Sequence, residues 1–549
     1  MSVVGAINTA WMVACLPERL AFQRATRRVA AVQTGVLRSI LRANATSAFG
    51  RAHDFDSLDD VAEYQRRVPT SDYGAIRPSI ERIAGGETNV LTCEPVELFE
   101  PTSGSTGGEK LIPTTPTMRR QFQRGVAAWI ADLYLNRPAV RGGRAYWSIS
   151  PALGAARRTL GGIPIGFDDD VAYLSRWERW AVRRVLAVPS EVAKSAEIDR
   201  FRYLTLLHLL KADDLSLISV WNPTFLTTLL APLEAWGERL CDDLRTGRTD
   251  ASAGPGNPRR AAEVAEVLRG GDAMSLKLQT LWPRLALISC WGDGAAARQL
   301  PALRELFPGV EFQPKGLLAT EAFVSLPLVG HLGSALALRS HFFEFVEAGG
   351  ETCLLAHELE RGGRYRIVVT TGGGLYRYPL HDEIEVVDFL HGCPLIRFLG
   401  KADRTSDLVG EKLSEVHVAE VLERIFAELN LAPTFAMLAP VDSAPPRYRL
   451  YLECRSLAAD VSPATAQLAA ALEAGLSANP YYRYAVGICQ LGPVEVRWLN
   501  DTAEPAARIY ERRLIAEGRR AGSIKPAALD RRTDWDAFLL ADAERRTGT

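Results

Sequence analysis

The segment Thr102–Lys110 reads TSGSTGGEK, and its residue types suit the binding of a polyphosphate. Glycines let a backbone approach an anion closely, consecutive N–H groups form a concave nest, and hydroxyls and a lysine add donors and charge. The strand-like residues Glu97–Phe99 precede it. It is not a Walker A loop, since Glu109 stands where that loop needs glycine and Leu111 follows the lysine. The composition favours a phosphate-binding loop, and a solvent-exposed turn is the alternative.

Other catalytic patterns are missing from the sequence, which contains no HExxH, GxSxG or GxGxxG motif. His208 lies in an apolar helical stretch, which favours packing over catalysis. Tyr376-Arg377-Tyr378 after Gly372–Gly374 is typical of a strand with a glycine bend. Taken singly, Glu321 and Asp382 are typical of surface carboxylates. None of these features alone indicates a reaction.

Composition narrows the class of protein that these 549 residues form. Lys and Arg number 64 against 65 Asp and Glu, so the net charge of −1 argues against general nucleic-acid binding. The cysteines lie far apart without CxxC spacing, which argues against a disulfide or zinc framework and favours a reducing cytoplasm. No apolar run is long enough to cross a membrane. Val3–Leu16 lacks the basic start of an export signal, so we expect a helix packed on the body.

The elements that would position a site follow from hydrophobic patterning. Leu215–Val220 and Leu285–Cys290 read as buried strands, and Asn222-Pro223 and Ala295–Leu306 read as the start and the body of following helices. Such alternation predicts an α/β body with a parallel sheet. After Gly333 the strands come closer together, which predicts an antiparallel β region.

A second domain is predicted beyond Asp403, where two helices, three strands and a final helix from Pro505 form one α+β set. The predicted architecture is therefore a large multi-layer α/β domain with a β subdomain (1–402). A small α+β C-terminal domain follows it (403–549).

Four segments, taken in order, resemble the adenylate-forming superfamily: TSGSTGGEK, ATE (Ala319–Glu321), LYRYPLHD (Leu375–Asp382) and FLGKAD (Phe398–Asp403). More narrowly, the chain is similar to the Gretchen Hagen family of auxin-responsive acyl-acid amido synthetases. The resemblance runs nearly end to end. Further fragments that carry it are VPTSDYGAIRPSIERI (Val68–Ile83), WNPTFL (Trp221–Leu226), GEKLSEVH (Gly410–His417) and NPYYRYAVGICQLGPVEV (Asn479–Val496).

The resemblance implies roles for particular residues in binding ATP and Mg²⁺. Thr320 matches a residue at the α-phosphate, Glu321 matches the Mg²⁺ ligand, and Asp382 matches the acid that accepts bonds from the ribose hydroxyls. Small-domain lysines near the phosphates are implied at Lys412 and, in GSIKP, at Lys525. The loop that holds the phosphates is implied to consist of Ser103, Gly104, Ser105, Thr106, Gly107 and Lys110. The adenine and acyl-carboxylate site is implied at Gly292, Asp293 and Gly294.

Three positions depart from the family pattern, and all three bear on nucleotide affinity. The usual aromatic before the ATE segment is Leu317, and the usual glycine before the ribose-binding acid is His381, which we interpret as a tolerated substitution. The hinge arginine is Lys401, which keeps the charge and loses the bidentate fork. Asp403 matches the hinge itself.

The resemblance implies an ATP-dependent ligase that forms an acyl-AMP from a carboxylic acid and transfers the acyl group to an amine, favoured to be an amino acid. Its partners would be small molecules, with neither nucleic acid nor membrane. Two alternatives stay open: a thioester ligase that uses coenzyme A or a carrier protein, and a nucleotide-binding regulator without turnover. The acid pocket is expected to use Arg119–Asp132 and Tyr146–Tyr173. The motifs specify neither the acid, the acceptor nor an oligomeric state.

Overall fold

The computed structural model describes residues 2–103, 109–148, 157–166, 176–195, 197–247, 255–347, 350, 352–401, 405–454, 462–499, 502, 504–519, 524 and 526–540. The chain divides into two compact units. The first unit is Met1–Val220, Leu233–Cys290 and Gly309–Phe398, and the second unit is Trp221–Pro232, Trp291–Pro308 and Leu399–Thr549. Two internal segments group with the C-terminal residues, so neither unit is one continuous stretch of the chain. The domain limits 1–402 and 403–549 stay a prediction.

Helices and strands alternate through the described residues. The helices are α1 (Val3–Ala25), α2 (Val29–Ala43), α3 (Ala48–Ala52), α4 (Val61–Arg67), α5 (Tyr73–Ala84), α6 (Pro116–Asn136), α7 (Pro138–Arg141), α8 (Arg176–Val185), α9 (Ile198–Lys211), α10 (Pro223–Leu230), α11 (Gly237–Thr246), α12 (Pro258–Arg269), α13 (Met274–Leu281), α14 (Leu300–Leu306), α15 (Glu415–Glu428), α16 (Ser462–Leu476), α17 (Pro480–Gly487), α18 (Ala506–Ala516) and α19 (Asp536–Leu539).

The described strands form five sheets. They are β1 (Leu98–Ser103), β2 (Glu109–Thr114), β3 (Arg144–Trp147), β4 (Arg157–Arg158), β5 (Pro164–Ile165), β6 (Leu215–Ser219), β7 (Leu287–Cys290), β8 (Glu311–Pro314), β9 (Ser325–Pro327), β10 (Ser334–Leu336), β11 (Phe342–Glu347), β12 (Cys353–Leu355), β13 (Arg364–Thr370), β14 (Tyr378–Leu390), β15 (Cys393–Lys401), β16 (Thr405–Ser406), β17 (Leu413–Ser414), β18 (Pro433–Val441), β19 (Arg447–Cys454) and β20 (Glu495–Trp498).

The parallel sheet predicted from the strand–helix alternation is confirmed in the first unit. Its strands lie in the order β3-β6-β7-β8, and each neighbouring pair is parallel. β6 and β7 are buried along their whole length, as expected of strands covered on both faces. One face packs against α1 and α6 through Met12, Ile130 and Leu217. The predicted N-terminal helix is therefore confirmed as part of this core.

The antiparallel region predicted after Gly333 is also confirmed. A seven-stranded sheet runs in the order β12-β11-β13-β14-β15-β10-β9 within the described residues, and its inner face belongs to the largest core of the first unit. A separate sheet in the order β2-β1-β5-β4 contains the two strands that flank the TSGSTGGEK segment. Among the described helices, none is long and apolar enough to cross a bilayer.

The second unit is built on the sheet β18-β19-β20, with α15 and α16 packed through residues such as Leu422 and Leu472. α10 joins this unit: Asn222 caps it by accepting from the Thr224 N–H, and the Asn222 amide donates to the Ile524 carbonyl. The predicted helix Ala295–Leu306 is partly wrong. A 3-10 turn comes first and α14 begins only at Leu300, because Pro301 has no N–H and fits only the first turn of a helix.

Candidate functional site

The two ends of the predicted phosphate loop are joined by an antiparallel hairpin. β1 and β2 pair so that Thr102 lies opposite Lys110 and Ser103 lies opposite Glu109. Gly104, Ser105, Thr106 and Gly107 lie outside the described residues. β1 therefore ends at Ser103 and β2 begins at Glu109, with Lys110 as its second residue.

Lys110 is half-buried beside an aromatic ring from the first turn of α5. Its Nζ lies 5.7 Å from the centroid of Tyr73, and the Tyr73 hydroxyl accepts the Leu111 N–H at 2.8 Å. The side chain of Asp72 caps α5 by accepting from the Ala75 N–H at 3.0 Å. Capping fixes the start of the helix, so Tyr73 both holds β2 in place and restricts the lysine above its ring.

Thr320 and Glu321 occupy the two central positions of a tight turn. The Ala319 N–H donates to the Ala322 carbonyl at 3.0 Å, and the Ala322 N–H donates back to Ala319 at 3.2 Å. A bridge between Leu318 and Phe323 extends this hairpin by one more pair. Both central residues are half-buried. Because a two-residue turn leaves its central side chains little backbone freedom, Thr320 and Glu321 are held side by side.

The helix α6 supports several parts of this region. Thr115 caps it by accepting from Met118, and the same hydroxyl donates to the Gly372 carbonyl at 2.9 Å. The Gly372 N–H donates to the Gln121 side chain at 2.8 Å. Gly125 faces the ring of Phe323 so closely that a Cβ would clash with it. α6 thus contacts both Phe323, directly after the Ala319–Ala322 turn, and the glycine run before β14.

Asp382 is placed by an irregularity in the middle of β14. Opposite β13, Val368 pairs with Pro379 and Arg366 pairs with Glu383, so the segment between them on β14 carries two extra residues. His381 within this bulge has φ +59°, a region that favours glycine. Asp382 is 1% exposed, so its interpretation as a surface carboxylate is wrong. This backbone conformation explains why the family usually has a glycine before this acid.

The LYRYP segment contains a buried ion pair that sequence reasoning missed. Arg377 (φ +48°) donates to Glu344 on β11 at 3.0–3.1 Å, and their side chains are 8% and 1% exposed. The same guanidinium donates to the carbonyls of Gln65 and Val68. The prediction of a strand with a glycine bend is wrong for Tyr376 and Arg377, because β14 begins only at Tyr378. Arg377 instead ties the start of that strand to β11 and α4.

A row of polar side chains crosses the carboxyl end of the parallel sheet. The strand registers align Trp147, Ser219, Ser289 and Gln313 on one face. The preceding row on this face places Ala145, Leu217 and Leu287 in the core and ends at the exposed Glu311 of β8. The indole N–H of Trp129 on α6 donates to Gln313 at 3.0 Å. The polar row thus lies where the core ends and where open α/β sheets bind ligands.

Lys315 follows β8 directly, and its ammonium returns to this polar row. Nζ donates to the Ser219 hydroxyl at 2.6 Å and lies 5.7 Å from the Trp129 ring centroid. Burial lowers the pKa of Lys315 to about 8, against a weaker opposing effect of Cys290. Sequence reasoning missed this residue because β8 was not predicted. A lysine directly after a parallel strand was the signal available.

The second unit holds the remaining predicted positions. Gly292 and Asp293 precede the 3-10 turn that begins at Gly294 (φ +57°). Lys401 is the last residue of β15, and Asp403 lies outside the described residues, as does Lys525. Whether these positions share a site with those of the first unit stays a prediction.

Lys412 stands exposed on the loop between β16 and β17. Its φ is +45°, and its loop is closed by the buried Glu411 carboxylate, which accepts the N–H groups of Leu408 and Val409. The Tyr448 hydroxyl also donates to Glu411. The loop is thus fixed from beneath, while the Lys412 side chain points to solvent.

The described residues contain no cage of side chains for a metal ion. No group of three or more His, Cys, Asp or Glu side chains among them is arranged to hold one. Mg²⁺ commonly takes one or two protein carboxylates and completes its shell with water and substrate phosphates. Glu321, half-buried at the tip of its turn, fits that mode of binding.

Comparison with known proteins covers nearly the whole chain. The chain is 26% identical to the probable indole-3-acetic acid-amido synthetase GH3.4 of Oryza sativa subsp. japonica, over 87% of this chain and 83% of that protein. It is 24% identical to the indole-3-acetic acid-amido synthetase GH3.4 of Arabidopsis thaliana, over 87% of this chain and 85% of that protein. The solved structure of AtGH3.15 acyl acid amido synthetase in complex with 2,4-DB superposes with a TM-score of 0.83 at 21% identity, covering 97% of this chain and 96% of that one.

The structural likeness establishes the fold as the α/β architecture predicted from the sequence. Residues 19–312 match the GH3 family N-terminal domain, and residues 334–401 match the GH3 family central domain. The first match alone spans more than half of the chain, so the protein belongs to the GH3 family.

Proposed function

We propose that this protein is an ATP-dependent acyl-acid amido synthetase. It joins a carboxylic acid to an amine, with an amino acid as the favoured acceptor, and releases AMP and pyrophosphate. The observation that carries the proposal is the likeness to curated amido synthetases along 87% of the chain. The arrangement of Lys110, Thr320, Glu321 and Asp382 supports it, since each motif position has a defined backbone setting.

In the first half-reaction, a carboxylate oxygen attacks the α-phosphorus of ATP and the bond to the β-phosphate oxygen breaks. The products are acyl-AMP and pyrophosphate. Negative charge gathers on phosphate oxygens in the transition state, so a preorganised cation such as Lys110 stabilises it. Thr320 would hold the α-phosphate. Asp382 would accept hydrogen bonds from the ribose hydroxyls.

In the second half-reaction, the neutral amine attacks the acyl carbonyl and the bond to the phosphate oxygen breaks. AMP leaves, and the proton from nitrogen passes to solvent. Lys412, exposed on its closed loop, and Lys525 are the cations that the second unit would bring to the phosphates. Lys401, Gly292, Asp293 and Gly294 would complete the nucleotide and carboxylate contacts.

Mg²⁺ would be held by Glu321 together with oxygen atoms of the nucleotide phosphates. When bound, the ion neutralises phosphate charge. A hard carboxylate oxygen is the ligand that this ion prefers. The reaction would take place in the reducing cytoplasm, which the eight free cysteines support.

Pyrophosphate exchange with a panel of carboxylic acids tests the first half-reaction, and mass spectrometry of products with amino acids tests the second. We expect Lys110→Ala to slow exchange by roughly 10²–10³. Arg77→Ala is the matched control, because it removes an exposed charge from the same helix that carries Tyr73. No acid-dependent exchange by the wild type would overturn the proposal. Transfer to coenzyme A with none to amines would instead establish the thioester ligase.

A further inference from the structure

We propose that Lys315 binds the carboxylate of the acid substrate, whose aromatic or apolar body lies against Trp129 and Trp147. This inference rests on the proposed function and deepens it, because it names a specificity-determining residue and a substrate class.

The position is the carboxyl edge of the parallel sheet. Lys315 follows β8, its N–H donates to the Cys290 carbonyl at the end of β7, and its ammonium reaches Ser219 at the end of β6. One residue, through its backbone N–H and its ammonium, thus contacts the ends of two strands beyond its own. Ligands of open α/β sheets bind outside these ends. The pocket predicted from Arg119–Asp132 and Tyr146–Tyr173 contains the two tryptophans that flank the same edge.

The Lys315 ammonium has uncharged groups beside it. It donates to the Ser219 hydroxyl on β6 and lies over the Trp129 ring on α6, and the Cys290 thiol on β7 acts on its pKa. Removal from water destabilises the ammonium form, which is why the pKa falls to about 8. A bound carboxylate would offset that cost.

Two donors beside this ammonium support a ligand of the same kind. The Trp147 indole N–H and the Ser289 hydroxyl are buried, and among the described residues neither has a hydrogen-bond partner. Buried donors without partners are rare in folded proteins, and a ligand is one way to satisfy them. Trp129 and Trp147 lie with ring centroids 6.0 Å apart and are both half-buried. Their rings offer an apolar wall to the body of an acid.

The test compares wild type, Lys315→Met, Lys315→Arg and Ser219→Ala. Binding of phenylacetate, indole-3-acetate and octanoate is measured without ATP by quenching of tryptophan fluorescence, with phenylacetamide as the uncharged partner of phenylacetate. A hydrogen bond to a charged group contributes about 1.5–3 kcal/mol, so Lys315→Met should weaken carboxylate binding roughly 10–150-fold and leave phenylacetamide binding unchanged. Lys315→Arg should keep most of the affinity.

The pH dependence has a defined sign. The pKa of Lys315 is about 8, so the side chain is charged at a pH below that value and neutral at a pH above it. Carboxylate affinity in the wild type should therefore fall tenfold per pH unit above that value. In Lys315→Arg it should stay flat, because arginine remains charged. Ser219→Ala leaves the ammonium in place and should shift this profile with a smaller loss of affinity.

Any one of three binding results would overturn the inference: no binding of any of the three acids by wild type, a flat wild-type profile, or equal loss of phenylacetate and phenylacetamide binding in Lys315→Met. If Lys315→Met does not fold, the wild-type and Lys315→Arg profiles decide the question alone. Loss of amide synthesis with normal acid binding would make Lys315 a proton acceptor for the amine and would also overturn it. Carboxylate binding through Lys315 without acyl-AMP formation would refute the proposed function while this inference stands.

Discussion

The two large sheets of the first unit place polar side chains in different ways. In the parallel sheet, Ser219, Ser289 and Lys315 lie at or just beyond strand ends, where the core stops. In the antiparallel sheet, Asp382 lies in the middle of the long strand β14, within a bulge. Strand ends lie at the open edge of a sheet, where ligands can approach, whereas the strand β14 is distorted beside its acid.

That distortion has identifiable structural costs. His381 has φ +59° and Arg377 has φ +48°, and an L-residue in this region costs roughly 1–2 kcal/mol. The buried Arg377–Glu344 pair ties the start of β14 to β11. No such strain accompanies the polar row of the parallel sheet, where register alone aligns the side chains. The antiparallel region should therefore be the more sensitive of the two to substitutions outside the site.

The largest effect is expected from Glu344→Ala. It leaves the Arg377 guanidinium buried without its counter-charge, and it also removes the acceptor of the Gln65 amide. Breaking a buried pair in this way costs about 3–5 kcal/mol of the free energy of unfolding. Urea denaturation followed by circular dichroism measures that difference.

The matched control is Glu385→Ala in the same sheet. Its partner Arg397 is 53% exposed, so losing this pair should cost below about 1 kcal/mol. Equal costs for the two variants would show that the Arg377 pair is not what anchors β14.

A medium effect is expected from Asp382→Ala, and it should be opposite in kind to that of Lys315→Met. Losing a charged hydrogen-bond acceptor should raise the KM for ATP roughly 10–150-fold and leave acid binding unchanged. Lys315→Met should weaken acid binding and leave the KM for ATP unchanged. Steady-state titration of each substrate in both variants measures this crossed pattern. If both variants changed the KM for ATP and the binding of the acid to the same extent, the two sheets would not have separate roles.

The smallest effect is expected from His381→Gly. Glycine removes a left-handed cost of about 1–2 kcal/mol and adds roughly 0.5–1 kcal/mol of conformational entropy, so the variant should gain about 0.5–1 kcal/mol. Thermal unfolding measures the gain, and the KM for ATP should not change. His381→Val is the control, because a β-branched residue is strongly disfavoured at positive φ. Unfolding midpoints that fall equally in both variants would mean that His381 stabilises the bulge by side-chain contacts.

The sequence alone indicated the two kinds of sheet and the family. Strand–helix alternation predicted the parallel sheet, the close spacing after Gly333 predicted the antiparallel one, and ordered motifs indicated adenylate chemistry. These features are local, since periodicity, caps and glycines act within a few residues along the chain. Asn222 as the cap of α10 was predictable for that reason.

Tertiary structure alone decided which side chains are buried and what they face. Arg377 meets Glu344 only because β11 lies near the start of β14, and Lys315 meets Ser219 only because β6 and β8 flank β7 in one sheet. Asp382 is buried on the same face of β14 as Leu380 and Ile384, beside a bulge in which β14 carries two more residues than β13. Strand pairing joins residues far apart in sequence, and burial sets the energy of their charges. Local patterns in the sequence contain neither the pairing of distant strands nor the energy of a buried charge.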